Sequence, residues 1–405
     1  MTSVTEEPRL RSAIVKLAFS LFAVAMSSQA VSPLLLYYTH DLKLSGTILT
    51  AFFAIYALGL VPALLLGGAH SDRIGRKAVV YPSVVLVLCA VLALESAAAF
   101  GEAALIVARL LQGLTAGACF TVGAVWLREL AGPTHAKRAA MIASGVMAFG
   151  FASGPLTTGI LVQWAPWPKI LPMLVPAVLL AIALILLRSV PETVTERRYG
   201  KIRVGVPRES VAGFFAYLLP IALLTYTPAM LALTIFPLQI AETGVGMIYA
   251  LAGLSMFFVQ GTAAYAAIYA RRWGPKACGW LSGFLCAIGC LCGYFAVQPD
   301  GWPWLIPASL LIGFSGGLAM TGGLMVADLV APPDRRGALV SMFYVVVYFG
   351  FMVPTIFSLI WGKQTLEEGS TVMIHAIVAF ILGLVLLGPG RRVVQRAESA
   401  AVAEG

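Results

Sequence analysis

Apolar runs of about twenty residues follow one another from residue 13 almost to the C-terminus, with short polar breaks between them. A helix rises 1.5 Å per residue, so a run of that length crosses a hydrocarbon layer of about 30 Å. Inside that layer no water satisfies backbone N–H and C=O groups, which leaves the helix as the local solution. Twelve runs qualify, near 13–39, 48–70, 78–100, 102–130, 139–163, 168–188, 211–238, 245–270, 277–297, 303–330, 338–361 and 371–388. Charged residues make up only 11% of the chain, less than half the share of about 25% in soluble domains. The runs use nearly all 405 residues and leave no room for a soluble catalytic domain. The expected fold class is an all-α polytopic membrane protein, and no enzyme is expected.

The formal net charge of +9 is compatible with nucleic acid until the bases are placed. With the N-terminus in the cytoplasm, the outer loops carry only Lys43, Lys169 and Lys363, Arg109 falls within the fourth helix, and every other Lys or Arg lies on an inner segment. This is the positive-inside pattern. It puts both termini in the cytoplasm and the protein in the cytoplasmic (inner) membrane as a multi-pass chain, with the lipid bilayer as its partner and no nucleic acid. The six cysteines all sit in apolar runs. Cys286 and Cys290 are one helical turn apart, but no His or acid joins them at ligand spacing, so neither a metal nor another cofactor is expected. The N-terminus, with Glu6, Glu7 and Pro8, lacks a cleavable-signal pattern, and the first helix is expected to serve as its own targeting signal.

Between the second and third runs lies Gly68-Ala69-His70-Ser71-Asp72-Arg73-Ile74-Gly75-Arg76-Lys77. Membrane anchoring by positive charge accounts for Arg73, Arg76 and Lys77. It does not account for Asp72, or for Gly75, which can take φ > 0 without a Cβ clash. The fourth run contains Arg109 with Gln112 three residues on, which puts the two on one helix face. An arginine at that depth costs several kcal/mol unless it is paired or wet. The first run carries Ser27, Ser28, Gln29, Ser32 and Pro33. The fifth holds Gly150, Gly154, Pro155 and Gly159, where the glycines permit close helix approach and the proline removes a backbone donor.

A shift of 199 residues lays Arg73, Gly75, Lys77 and Pro155 on Arg272, Gly274, Lys276 and Pro354, and a shift of 200 lays Gly113, Gly117 and Pro133 on Gly313, Gly317 and Pro333. Coincidences in the same order point to an internal duplication, the pattern of secondary transporters. The chain then divides into 1–189, a basic linker at 190–210, and 211–405.

The Gly68–Lys77 stretch resembles the loop 2–3 signature of the major facilitator superfamily. Arg109-x-x-Gln112-Gly113 is similar to that family's fourth-helix signature. Gly150 to Gly159 is similar to the fifth-helix signature of its twelve-helix drug:proton antiporter branch, with Thr158 in place of a glycine. The resemblance implies twelve transmembrane helices in two pseudo-symmetric six-helix bundles. It implies gating by Gly68, Asp72, Arg73, Gly75, Arg76, Lys77 and the fifth-helix residues, with Arg128 as a partner of Asp72. It also implies a cavity lined by Gln29, Arg109, Gln112, Tyr226 and Gln260. The function then expected is alternating-access secondary transport by a monomer, namely proton-coupled efflux of drug-like, moderately hydrophobic or cationic cargo, or of a metabolite. No acid lies at mid-depth in any helix, which leaves Asp41 and Glu95 as proton candidates. Uptake of a sugar or of an organic or aromatic acid is the alternative in transport. A non-transporting membrane sensor is the alternative in another class.

Overall fold

The computed structural model describes residues 6–41, 46–95, 97–194, 205–332, 335–356, 359–360 and 370–404, and all of it that is regular is helical. The chain divides into two compact units. The first comprises Met1–Lys43 and Phe52–Ile202, and the second comprises Leu44–Ala51 and Arg203–Gly405.

The first unit contains α1 (Glu6–Asp41), α2 (Gly46–Ile74) from Phe52 onward, α3 (Arg76–Glu95), α4 (Ala97–Trp164) and α5 (Leu171–Leu187). The second contains α6 (Arg208–Glu242), α7 (Ile248–Ala296), α8 (Leu305–Val330), α9 (Arg336–Phe349), α10 (Ser370–Val385) and α11 (Arg391–Glu404). Among the described residues, eight helices are long and apolar enough to cross a membrane, and α5 and α9 are shorter apolar helices.

Two of the loops expected from the sequence are replaced by single-residue corners. α4 breaks at Gly132 (φ 71°, ψ 170°) and α7 at Gly274 (φ 75°, ψ 169°). Glycine reaches this left-handed geometry without a Cβ clash. In both cases the next residue is a proline, Pro133 or Pro275, whose fixed φ suits a first helical position. Hydropathy sees only the polar residues around such a corner, so a corner reads as a loop. α6 carries π turns at Phe214–Leu218 and Leu231–Ile235, each ending two residues before a proline, Pro220 or Pro237. A proline ring clashes with the carbonyl four residues back, and a wider turn moves that carbonyl away.

The duplication read from the sequence has a packing counterpart inside each unit. In the first, a Cβ on Gly113 would meet the Tyr56 carbonyl, and one on Gly117 would lie 2.7 Å from the Leu60 carbonyl. In the second, a Cβ on Gly313 would meet the Val259 carbonyl, and one on Gly317 the Ala263 carbonyl. Small residues spaced four apart let two backbones touch. In both units this crossing fixes the helix that carries the polar groups described next.

Candidate functional site

The turn after α2 is a polar cluster with several hydrogen bonds. Gly75 donates its N–H to the Ser71 carbonyl (2.9 Å) and takes φ +110°. A Cβ there would lie 2.6 Å from Glu192 Oε2, so the position needs glycine for its backbone and for its neighbour. The turn starts α3 with free N–H groups, and Glu192 caps them, accepting from Arg76 N (3.0 Å) and Lys77 N (2.9 Å). The Lys77 ammonium donates to the carbonyls of Arg188 (2.7 Å) and Val190 (3.1 Å). Trp126 Nε1 holds the same exit segment through the Pro191 carbonyl (3.0 Å).

Arg76 is the hub. It is 6% exposed and reaches Asp72 Oδ1 through Nη1 (2.6 Å) and Glu129 Oε1 through Nη2 (2.7 Å). It also donates to Ser71 Oγ, and Glu129 in turn accepts from the Thr193 hydroxyl. The expected Arg128–Asp72 pair is therefore corrected: Asp72 pairs one turn along its own chain with Arg76, and Arg128 is exposed. Adjacent residues on a helix point about 100° apart, so Glu129 faces the turn where its neighbour does not. Arg73 is exposed, and Gly68 makes ordinary contact with Thr121 (3.9 Å). Sequence reasoning passed over Glu129, Glu192 and Thr193 as partners.

Burial pushes the Glu192 carboxyl up, but N–H donors from Val194, Arg76, Lys77 and Thr193 outweigh it and hold the group below the ordinary carboxylate value. A depressed carboxylate stabilises fully above its unfolded pKa and loses that stabilisation as the pH falls through the folded one. Glu192→Gln is accordingly expected to lower thermal stability at pH 7 and to flatten the acid limb below about pH 4.5. Thermal denaturation from neutral to acid pH checks this, and parallel curves for the two proteins would contradict it.

Further along the first unit, α4 presents Arg109 and Gln112 to α1, and both are 0% exposed. Arg109 Nη1 donates to the Ser28 carbonyl and to Gln112 Oε1, both at 2.7 Å, while Gln112 Nε2 donates to the Ser27 carbonyl (3.1 Å). The close crossing at Gly113 brings the α2 rings over the guanidinium, with Tyr56 at 4.3 Å, Phe52 at 4.7 Å and Phe53 at 5.5 Å from its carbon. Among the described residues, Arg109 Nε and Nη2 have no hydrogen-bond partner. Gln29, on α1, is 4% exposed. The rings were missed from sequence because an aromatic stripe on an apolar helix carries no mark of the cation it covers.

On the second leg of α4, Gly150 and Gly154 lie against α1. A Cβ on Gly150 would be 2.7 Å from the Phe22 carbonyl, and one on Gly154 would meet the Met26 carbonyl. Pro155 and Gly159 are buried beside them. Gly154→Ala is expected to cost about 1–3 kcal/mol in stability. Gly145→Ala, where a Cβ meets nothing within 4 Å, is the matched control. Equal unfolding midpoints for the two variants would contradict this packing.

The second unit holds a cavity of about 140 Å³ lined by Thr225, Tyr226, Gln260 and Thr321, among apolar residues and the glycines of α8. Tyr226 and Gln260, picked from sequence, thus share one cavity, and Thr225 and Thr321 join them. The Tyr226 ring packs on Phe351 (5.1 Å) and Tyr348 (5.4 Å). No lining side chain is charged, so this wall offers hydroxyls, one amide and apolar surface. The side chains of Asp41 and Glu95, the proton candidates, lie outside the described residues.

The family model described as Major Facilitator Superfamily matches residues 17–355. A multidrug resistance protein, MdtL of Shewanella oneidensis, is 28% identical over 193 residues, covering 46% of this chain and 47% of that protein. MdtL of Escherichia coli is 28% identical over 130 residues, covering 32% of this chain and 33% of that protein. The matches therefore span half or less of those relatives. Among solved structures, a D-xylose–proton symporter matches with TM-score 0.68 at 16% identity, covering 95% of this chain and 98% of that one. The peptide transporter POT matches with TM-score 0.76 at 14% identity, covering 94% of each. At these identities the likeness is one of fold.

Proposed function

From the premise that the chain belongs to the major facilitator superfamily and is a multi-pass membrane protein, we infer that it is a secondary active transporter exporting a small organic molecule across the cytoplasmic membrane in exchange for protons. The matched family and the structural neighbours are transporters, not enzymes. If α4 and α7 each cross twice, at their glycine corners, the eight long helices and the two short ones supply twelve crossings. An even number returns both termini to one side, and the positive-inside count favours the cytoplasm.

The observation that carries the reading is Arg109, a cation with no exposed surface on an apolar helix. An ionisable residue at such a place marks a substrate or ion pathway. Within the second unit, Thr225, Tyr226, Gln260 and Thr321 line a neutral cavity. Transport of this kind proceeds by alternating access, so that cargo meets one compartment at a time. The cluster Asp72–Arg76–Glu129, braced by Glu192, sets the position of the α2–α3 turn, and gating acts through that turn. Support for outward movement and proton exchange comes from the fifth-helix glycine–proline pattern and from the partial likeness to the MdtL proteins.

Efflux from proteoliposomes, with and without an inward proton gradient, tests this reading. Faster efflux of a cargo under the gradient is expected. Flux of every compound that ignores the gradient removes the antiport, and absence of any flux removes the transporter.

A further inference from the structure

We propose that the Arg109 site binds the carboxylate, or another two-oxygen anionic group, of an organic acid cargo. The proposal rests on the transporter reading above and names the class of molecule that site takes.

The guanidinium has two faces and a set of N–H donors, and most of what surrounds it is already assigned. Nη1 spends its donors on the Ser28 carbonyl and Gln112 Oε1. The Tyr56 and Phe52 rings lie over its carbon at 4.3 and 4.7 Å. The remaining side-on edge carries Nε and Nη2, and both lack a hydrogen-bond partner among the described residues on a side chain that is 0% exposed. These two N–H groups point in parallel and match the spacing of two carboxylate oxygens, the fork geometry arginine uses for bidentate recognition.

A role confined to tying α1 to α4 leaves that edge unexplained. Nη1 and Gln112 already make the tie, to two successive carbonyls of α1. Unmade donors on a buried charge are costly, and no acidic side chain among the described residues forms an ion pair with Arg109. The arrangement is that of a cation held ready by neutral partners, with its recognition edge kept for a counter-ion that arrives from outside the chain. The rings of Phe52, Phe53 and Tyr56 cover the faces of the guanidinium and leave its edge as the direction of approach. The cargo class is therefore a small organic carboxylate. A cationic cargo would place like charge against Arg109, so the expectation of cationic substrates is not carried forward.

The experiment uses the full chain in lipid nanodiscs and two sets of matched probes: benzoate, benzamide and benzylamine, then butyrate, butyramide and butylamine. Thermal shift reads binding, since a ligand for the native state stabilises by mass action. At least one carboxylate is expected to raise the midpoint at a concentration about tenfold below that needed by its amide, with no shift from the amine. Arg109→Gln is expected to erase the difference between acid and amide. Arg109→Lys, which keeps the charge and loses the fork, is expected to retain the preference with about tenfold weaker binding. If Arg109→Gln does not fold, Arg109→Lys alone decides. No shift from either carboxylate, equal binding of acid and amide, or strongest binding by an amine overturns the proposal. Flux of the same compounds into proteoliposomes separates the two levels. Amine or amide flux without carboxylate preference overturns the anion site and leaves transport standing, whereas carboxylate binding with no flux of any probe does the reverse.

Discussion

Replacing Arg76 by alanine is expected to abolish most transport and to lower stability by about 2 kcal/mol. The stability figure is modest because Asp72 and Glu129 remain 40% and 34% exposed, so water takes over part of what the guanidinium did. The functional loss is larger because the Arg76 side chain joins two helices, pairing with Asp72 on α2 and with Glu129 on α4. Without it two carboxylates face each other across the turn with no cation between them. Arg76→Lys keeps one charge but cannot serve both acids in the same plane, and an intermediate rate is expected. A double-mutant cycle with Glu129→Ala measures the coupling. Wild-type efflux from Arg76→Ala vesicles, or strict additivity in that cycle, would show that the cluster is ornament.

Gly113→Val is expected to be the most damaging single substitution in the first unit, at about 3 kcal/mol or more. Its Cβ would run into the Tyr56 carbonyl, so the relief is not a rotamer change but separation of α2 from α4. That separation draws Phe52 and Tyr56 off the guanidinium they cover, so stability and the Arg109 site fail together. Gly313→Val makes the equivalent clash in the second unit, against the Val259 carbonyl and the Thr262 hydroxyl. It should destabilise by a similar amount while leaving ligand selectivity at Arg109 intact in whatever protein still folds. Unfolding midpoints in detergent, with carboxylate protection measured on the folded fraction, check both. A Gly113→Val protein as stable as wild type would mean that the crossing is looser than described.

The helical architecture was legible because hydropathy is summed over about twenty residues and tolerates local error. The corners at Gly132 and Gly274 were not, because hydropathy registers the polar residues around a one-residue turn as a loop. The duplication was visible from a few aligned glycines, prolines and bases. Its physical content, helix crossings at Gly113/Gly117 and Gly313/Gly317, needed coordinates. Arg109 and Gln112 stood out by type and spacing on an apolar helix. Their partners on α1 are backbone carbonyls, and a carbonyl has no sequence signature. The cap by Glu192 was hidden by its distance of more than a hundred residues from Arg76. The Arg128–Asp72 pair that the resemblance implied fails because Arg76, one turn along from Asp72, already supplies the base.

The central claim is that one pocket faces each side of the membrane in turn. Gln260, which lines the cavity of the second unit, is the position to test. In a background with the six native cysteines replaced, Gln260→Cys is treated with a membrane-impermeant thiol reagent in right-side-out and in inside-out vesicles. The account predicts labelling in both preparations, with cargo shifting the two rates in opposite directions. Labelling confined to one face under every cargo and gradient would contradict it.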